Sequence, residues 1–215
     1  MTGVACDGDN VMKLYYAPGT CAVACWIALE WAGARFEPIR ADYASEAFRR
    51  VNPLAMVPAL DFGAERAMTQ ANAILQYVVT LHPEARLGAD RDGHGVFEFS
   101  ETLAFLTGDF HPAFWPWFTP ERFTLDHAAP ALEQVRTAAH VRIGRVMSHL
   151  DGLIGDGVHV YRNRRSVADA YAYVMVRWTA RLPKPWQDYP NVARFMDHMD
   201  HDPVVEDIMT QAGSK

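Results

Sequence analysis

The residue in this chain best placed to do chemistry is Cys21. It closes "KLYYAPGTC", where Pro18-Gly19-Thr20 turns a short β-rich run into a helical one. A helix start presents unpaired N–H groups and the positive end of its macrodipole, so a thiol there is drawn toward thiolate. The opposing reading is that burial raises the thiol pKa and leaves Cys21 inert. Cys25 follows one helical turn later. That spacing is not the Cys-x-x-Cys of a dithiol, and consecutive turns do not bring two sulfurs into disulfide geometry without distortion. Cys25 therefore reads as a small core hydrophobe. Tyr15 and Tyr16 end the β-rich run, and alternation lets only one of them face a site. His111 sits in "GDFHPAFWPWF", where Phe110, Phe114, Trp115, Trp117 and Phe118 either line an apolar pocket or pack between helices. No His/Cys/Asp/Glu spacing suggests zinc, and no glycine-rich phosphate loop is present.

The elements that would hold these residues follow from periodicity and punctuation. "KLYYA" reads as a strand and Cys21 to Ala32 as a helix stopped by Gly33. "FEPIRA" reads as a second strand, and Pro38, lacking a donor, predicts an edge or strand end. "SEAFRRV" is a short helix, "VPALDF" and "ERAMT" form a hairpin around Gly63, and "QANAILQYVVTLHP" is a helix closed by Pro83. The polar "EARLGADRDG" reads as a linker. Beyond it only helices are predicted, over about 95–110, 130–150, 167–181, 190–199 and 204–212. Ser166 and Asp169 have capping-box spacing, and "RNRRS" before them reads as a solvated basic loop. The fold class is α/β plus all-α: residues 12–83 form a mixed domain, 84–92 a linker, 93–215 a helical bundle, and 1–11, which contains Cys6, a loose leader.

Composition narrows the partners. The 215 residues are 50% hydrophobic with a formal net charge of -6. There is no long basic run, which speaks against nucleic acid. No apolar run is long enough to span a membrane, and no segment has signal-peptide layout. Three cysteines make no disulfide framework. A cytoplasmic protein is expected.

Four segments in order carry a resemblance. "MKLYYAPGTCAVA", "VNPLAMVPAL", "TQANAILQYV" and "SVADAYAYVMVRW" together resemble the cytosolic glutathione transferases, most closely the bacterial beta class. The resemblance implies a thioredoxin-like first domain, a helical second domain and a homodimer. It implies that glutathione is co-substrate, with no metal, and that Cys21 meets its sulfur with Tyr16 in a supporting catalytic role. A cis Val57–Pro58 bond would turn the Val57 backbone outward to pair with the cysteinyl part of glutathione. Gln70 and Ala71 would open the helix that receives its γ-glutamyl carboxylate. Ala71 stands where a serine is usual, so one donor is lost. His111 matches a family histidine near the sulfur, while Pro112 replaces the usual lysine. His111, Phe114 and Trp115 are the expected substrate pocket.

Two activities follow from the resemblance: conjugation of glutathione to a small electrophile, as in detoxification, or thiol–disulfide and peroxide chemistry through Cys21. A third reading remains beside them, a non-catalytic binding protein of the same fold that has lost tight glutathione binding through Ala71.

Overall fold

A computed structural model describes residues 11–214, so Cys6 and the predicted leader to residue 10 lie outside the described residues. Strands β1 (Met12–Tyr16), β2 (Phe36–Arg40), β3 (Ala59–Asp61) and β4 (Met68–Thr69) form one sheet in the order β2-β1-β3-β4. β1 pairs parallel with β2 and antiparallel with β3, and β3 pairs antiparallel with β4. This is the thioredoxin-like arrangement. Pro38 lies on β2, opposite Leu14, and β2 is an edge strand, as a residue without an N–H requires.

Helix α1 (Ala22–Trp31) fills the middle of the molecule. Its residues from Ala22 to Leu29 are all buried, including Cys25, whose Sγ lies 3.8 Å from the Ala71 carbonyl. A helix apolar on every side must be covered on every side. Helix α2 (Glu46–Val51) is capped by Ser45, whose hydroxyl accepts from the Phe48 N–H at 3.1 Å. Helix α3 (Ala71–Leu81) packs on α1 through Ile74, Leu75 and Val78.

A short 3₁₀ turn, Pro83–Ala85, lies in the segment read as a linker. The second part is helical: α4 (Gly93–Phe105), α5 (His111–Ala113), α6 (Trp115–Phe118), α7 (Ala129–Ile154), α8 (Val167–Val176), α9 (Pro190–Asp200) and α10 (Pro203–Gln211). The short α5 and α6 were not predicted. Pro112 and Pro116 remove the N–H needed to continue a helix, and each sits in the first turn of a new one.

Helix α8 is buried along its whole length and starts from the expected capping box. The Ser166 hydroxyl accepts from the Ala168 N–H at 3.3 Å, and buried Asp169 accepts from the Ser166 and Val160 N–H groups at 2.7 Å each. The basic run before it is largely exposed, as expected of a solvated loop, but its arginines are ion-paired. Arg162 meets Asp92 at 2.9 Å, Glu98 at 2.5 Å and Asp90 at 3.2 Å. Arg164 donates to the carbonyls of Arg86 and Gly88, and Arg165 reaches Asp202 at 2.6 Å. The run thus ties residues 86–98 to the start of α8 and to the start of α10.

Candidate functional site

A cavity of about 880 Å³ opens between the sheet domain and the helices. One wall is largely backbone. Gly19, Thr20 and Cys21 come from the turn after β1. Gly19 has φ +68, and an added Cβ would meet nothing within 4 Å there, so backbone conformation rather than space calls for glycine. The turn is held from outside: the indole N–H of Trp178 donates to the Gly19 carbonyl at 2.7 Å, and the Gly19 N–H donates to the Ser214 hydroxyl at 2.8 Å.

Next along that wall come Met56, Val57 and Pro58. The Val57–Pro58 bond is cis. Buried Asn52 organises the approach to it. Its amide donates to the Met56 carbonyl at 2.7 Å, and its Oδ1 accepts from the Leu54 N–H at 3.2 Å. Among the described residues the Val57 N–H takes no partner, and the Val57 carbonyl has only the weak Cys21 Sγ contact at 3.9 Å. The third piece is Gln70 to Ala73. Gln70 adopts φ +72, ψ +115, a conformation that L-residues rarely hold. It breaks the chain so that α3 begins at the cavity with the N–H groups of Ala71, Asn72 and Ala73 unpaired.

The facing wall is made of side chains. Thr107, His111 and Trp115, spaced by four, line the cavity, while Leu106, Phe110 and Phe114, also spaced by four, are fully buried. Four residues of α-helix overshoot a turn by about 40°, so such stripes drift. Here Leu106–Phe110 form a π turn, and its wider winding keeps both stripes straight. Phe118, Arg122, Phe123, Tyr171 and Trp178 complete the wall.

The placement of the expected site residues is mixed. Cys21, Val57, Pro58, Gln70, Ala71, His111 and Trp115 come together around the cavity. Phe114 does not: it is buried between Phe110, Phe118 and Trp178. Tyr16 does not either. Its ring packs edge-on against Trp26 at 4.8 Å in the core beneath the sheet. Tyr15 packs against Phe48 instead, so neither strand tyrosine reaches the site. Sequence reasoning missed Tyr171, Trp178, Arg122 and Tyr43. The first two lie within the quoted capping segment, yet only helix phase sets which of its residues face the cavity.

The electrostatics correct one expectation. Cys21 stands at the N-cap of α1, but burial outweighs the stabilising contribution of its backbone N–H and pushes the thiol up to about 12. The protein thiol is neutral at physiological pH. His111 is also neutral, because burial lowers its pKa to about 4. Its Nδ1 pairs with the Tyr171 hydroxyl at 2.9 Å, and burial holds that phenol protonated. The cavity therefore offers uncharged hydrogen-bonding groups at its base, with unpaired N–H groups at two helix starts.

Among the described residues no group of three or more His, Cys, Asp or Glu is arranged to hold a metal, and no helix is long and apolar enough to cross a membrane.

Comparison with known proteins gives concordant matches. Residues 10–80 match the family model for the N-terminal domain of glutathione S-transferase. Glutathione S-transferase GST-4.5 from Xanthomonas campestris pv. campestris is 35% identical over 175 residues, spanning 78% of this chain and 82% of that protein. The bacterial beta class glutathione S-transferase from Sphingomonas chungbukensis superposes with a TM-score of 0.81 at 30% identity, over 94% of this chain and 98% of that one. A sphingomonad glutathione S-transferase solved in complex with glutathione gives a TM-score of 0.80 at 30% identity with the same coverage. The cis-proline loop, the helix opening at Gln70 and the cysteine turn stand around one cavity in a chain with these relatives: it belongs to the glutathione S-transferase family.

Proposed function

We propose that this enzyme conjugates glutathione to a small electrophile and that the attacking sulfur is the ligand's, not that of Cys21. The carrying observation is the set of backbone N–H groups at the cavity, those of Val57, Ala71, Asn72 and Ala73, that have no partner among the described residues, beside a Cys21 thiol whose pKa burial raises. The Val57 N–H and carbonyl face the cavity as an open strand edge and accept the cysteinyl backbone of glutathione as an added strand would. The γ-glutamyl carboxylate rests on the free N–H groups of Ala71, Asn72 and Ala73 at the positive end of α3. That pose brings the glutathione sulfur to the start of α1, where the Ala22 N–H has no partner among the described residues and the Cys21 N–H is turned toward its own thiol. The dipole expected to ionise Cys21 acts on the ligand thiol instead. The Cys21 S–H and the Tyr171 hydroxyl are donors to that sulfur, and His111 positions Tyr171.

Conjugation then needs only proximity and a lowered ligand pKa. The thiol proton goes to solvent, the thiolate attacks the electrophilic carbon, and the leaving group departs with its bonding pair. Trp115, Phe118 and Trp178 hold an apolar second substrate against the sulfur. Disulfide or peroxide chemistry through Cys21 is disfavoured, because it needs the protein thiolate that burial suppresses. Non-catalytic binding has no observation in its favour.

A cytoplasmic homodimer completes the proposal. It is supported by the exposed Val96 and Phe97 on α4, and light scattering at twice the 24.1 kDa chain mass checks it. The function itself is tested by calorimetric titration with glutathione followed by an activated aryl chloride. Saturable binding and thioether formation are expected. No binding into the millimolar range, or binding without conjugation of any electrophile class, would sink the reading.

A further inference from the structure

Arg122 is unlike everything else around the cavity. It is the one formally charged side chain lining it among the described residues. The other polar side chains there are hydroxyls, amides, a thiol and an uncharged imidazole. Arg122 lies at the end of the 3₁₀ turn Pro120–Arg122 that follows α6, beside Phe123. Several arginines in the helical part are matched to carboxylates, among them Arg136 to Glu133, Arg162 to three carboxylates, Arg165 to Asp202 and Arg177 to Asp200, whereas Arg142, Arg145 and Arg181, like Arg122, have no such ion pair among the described residues; Arg122 differs from these in lining the cavity. Arg122 has no carboxylate within ion-pair distance among the described residues. Its guanidinium is solvent-exposed at an aromatic cavity and is the positive charge among the lining side chains, with exposed Glu121 preceding it in the turn.

We propose that Arg122 sets the specificity of the second substrate, selecting aromatic electrophiles that carry a carboxylate or sulfonate. The inference rests on the conjugation reading and adds the substrate class. The γ-glutamyl carboxylate is assigned to the start of α3, on the backbone wall; the glycyl carboxylate is the competing anion for Arg122, and the KM for glutathione in the test below separates the two. Its planar fork matches a carboxylate or sulfonate in two parallel hydrogen bonds. Trp115, Phe118 and Trp178 take the ring, and the anion at the ring's far end meets Arg122 at the rim. The reaction with an aryl chloride of this class balances simply. The glutathione thiolate forms the carbon–sulfur bond, chloride leaves with the carbon–chlorine pair, and the anionic group is untouched.

The test separates this inference from the reading beneath it by measuring binding without turnover. The probes are 3,5-dinitrobenzoate and its neutral amide, which lack a leaving group, followed by quenching of the cavity tryptophans in the full chain. Conjugation of 4-chloro-3,5-dinitrobenzoate and 1-chloro-2,4-dinitrobenzene is measured in parallel. The benzoate should bind about tenfold more tightly than the amide, and Arg122→Gln should erase that preference, as should high salt. In turnover, the ratio of kcat/KM for the anionic over the neutral chloride should fall about tenfold in Arg122→Gln and further in Arg122→Glu. Equal binding of benzoate and amide overturns the proposal, as does a preference that survives the substitution. A raised KM for glutathione with an unchanged electrophile ratio also overturns it, because Arg122 would then read the tripeptide. A benzoate preference that depends on Arg122 in a protein that conjugates nothing keeps the Arg122 site and removes the conjugation reading.

Discussion

The two walls of the cavity are built from different materials. On the sheet side the chemistry is carried by main chain: the Val57 N–H and carbonyl, the unpaired N–H groups opening α3, and the Ala22 N–H opening α1. On the helical side it is carried by side chains: His111 and Tyr171 in a 2.9 Å pair, and an aromatic surface from Trp115, Phe118 and Trp178. A backbone wall recognises what is constant, an extended peptide with a carboxylate, because its donors cannot be changed by substitution. A side-chain wall recognises what varies. Its residues can be exchanged without disturbing a strand edge or a helix start. Trp178 joins the two, lining the aromatic wall while its indole N–H holds the Gly19 carbonyl of the other.

The largest effect that would break this division concerns Cys21. If the backbone wall activates the ligand thiol and not the protein thiol, Cys21 is a poor nucleophile. With its pKa near 12 against the ordinary 9, its thiolate fraction near neutral pH falls ~10³-fold. Iodoacetamide should label Cys21 in the folded protein about a thousandfold more slowly than in the unfolded chain, as peptide mass mapping would report. Fast labelling would return Cys21 to the role of nucleophile.

On the other wall, His111 should make stability depend on pH. The unfolded chain takes up a proton as pH falls through 6.5, while the folded protein resists until about 4. Stability from keeping this imidazole neutral is present above 6.5 and is lost as pH falls toward 4. The loss amounts to about 3 kcal/mol. Denaturant melts of His111→Gln should lack that portion of the decline over this window. An identical pH dependence in both proteins would contradict the burial account of His111.

A smaller effect sharpens the backbone wall itself. Ala71→Ser places a hydroxyl beside the free N–H groups of α3, and one added hydrogen bond to a carboxylate should tighten glutathione severalfold. Calorimetry that finds affinity unchanged or weaker would mean that the carboxylate lies elsewhere.

The contrast between the walls also explains what could be read from the residues alone. The backbone wall was legible because local motifs encode it. Pro18-Gly19-Thr20 marks the turn, Val57-Pro58 the loop, and the break at Gln70 the start of a helix. Each signal lies within a few residues of the feature it makes. The aromatic wall depends on helix phase, which local spacing does not carry across the π turn at Leu106–Phe110. Beyond that turn and the break between α5 and α6, Trp115 faces the cavity while Phe114 is buried. Tyr16 was misplaced by a comparable ambiguity, since alternation permits one tyrosine at the site and the pleat sends both elsewhere. The ion pairs of the exposed run "RNRRS" were not legible because Asp90, Asp92 and Glu98, the partners of Arg162, lie more than sixty residues away in the chain.

The central claim is that the ionised sulfur in this site belongs to glutathione. Thiolate absorbance in the ultraviolet, titrated against pH with and without glutathione and repeated in Cys21→Ala, tests it most directly. The account predicts no thiolate band at neutral pH in the free protein, a band on adding glutathione with a midpoint at least about one unit below that of the free tripeptide, and persistence of that band in Cys21→Ala. A band already present without ligand and abolished by Cys21→Ala would place the thiolate on the protein and contradict the account.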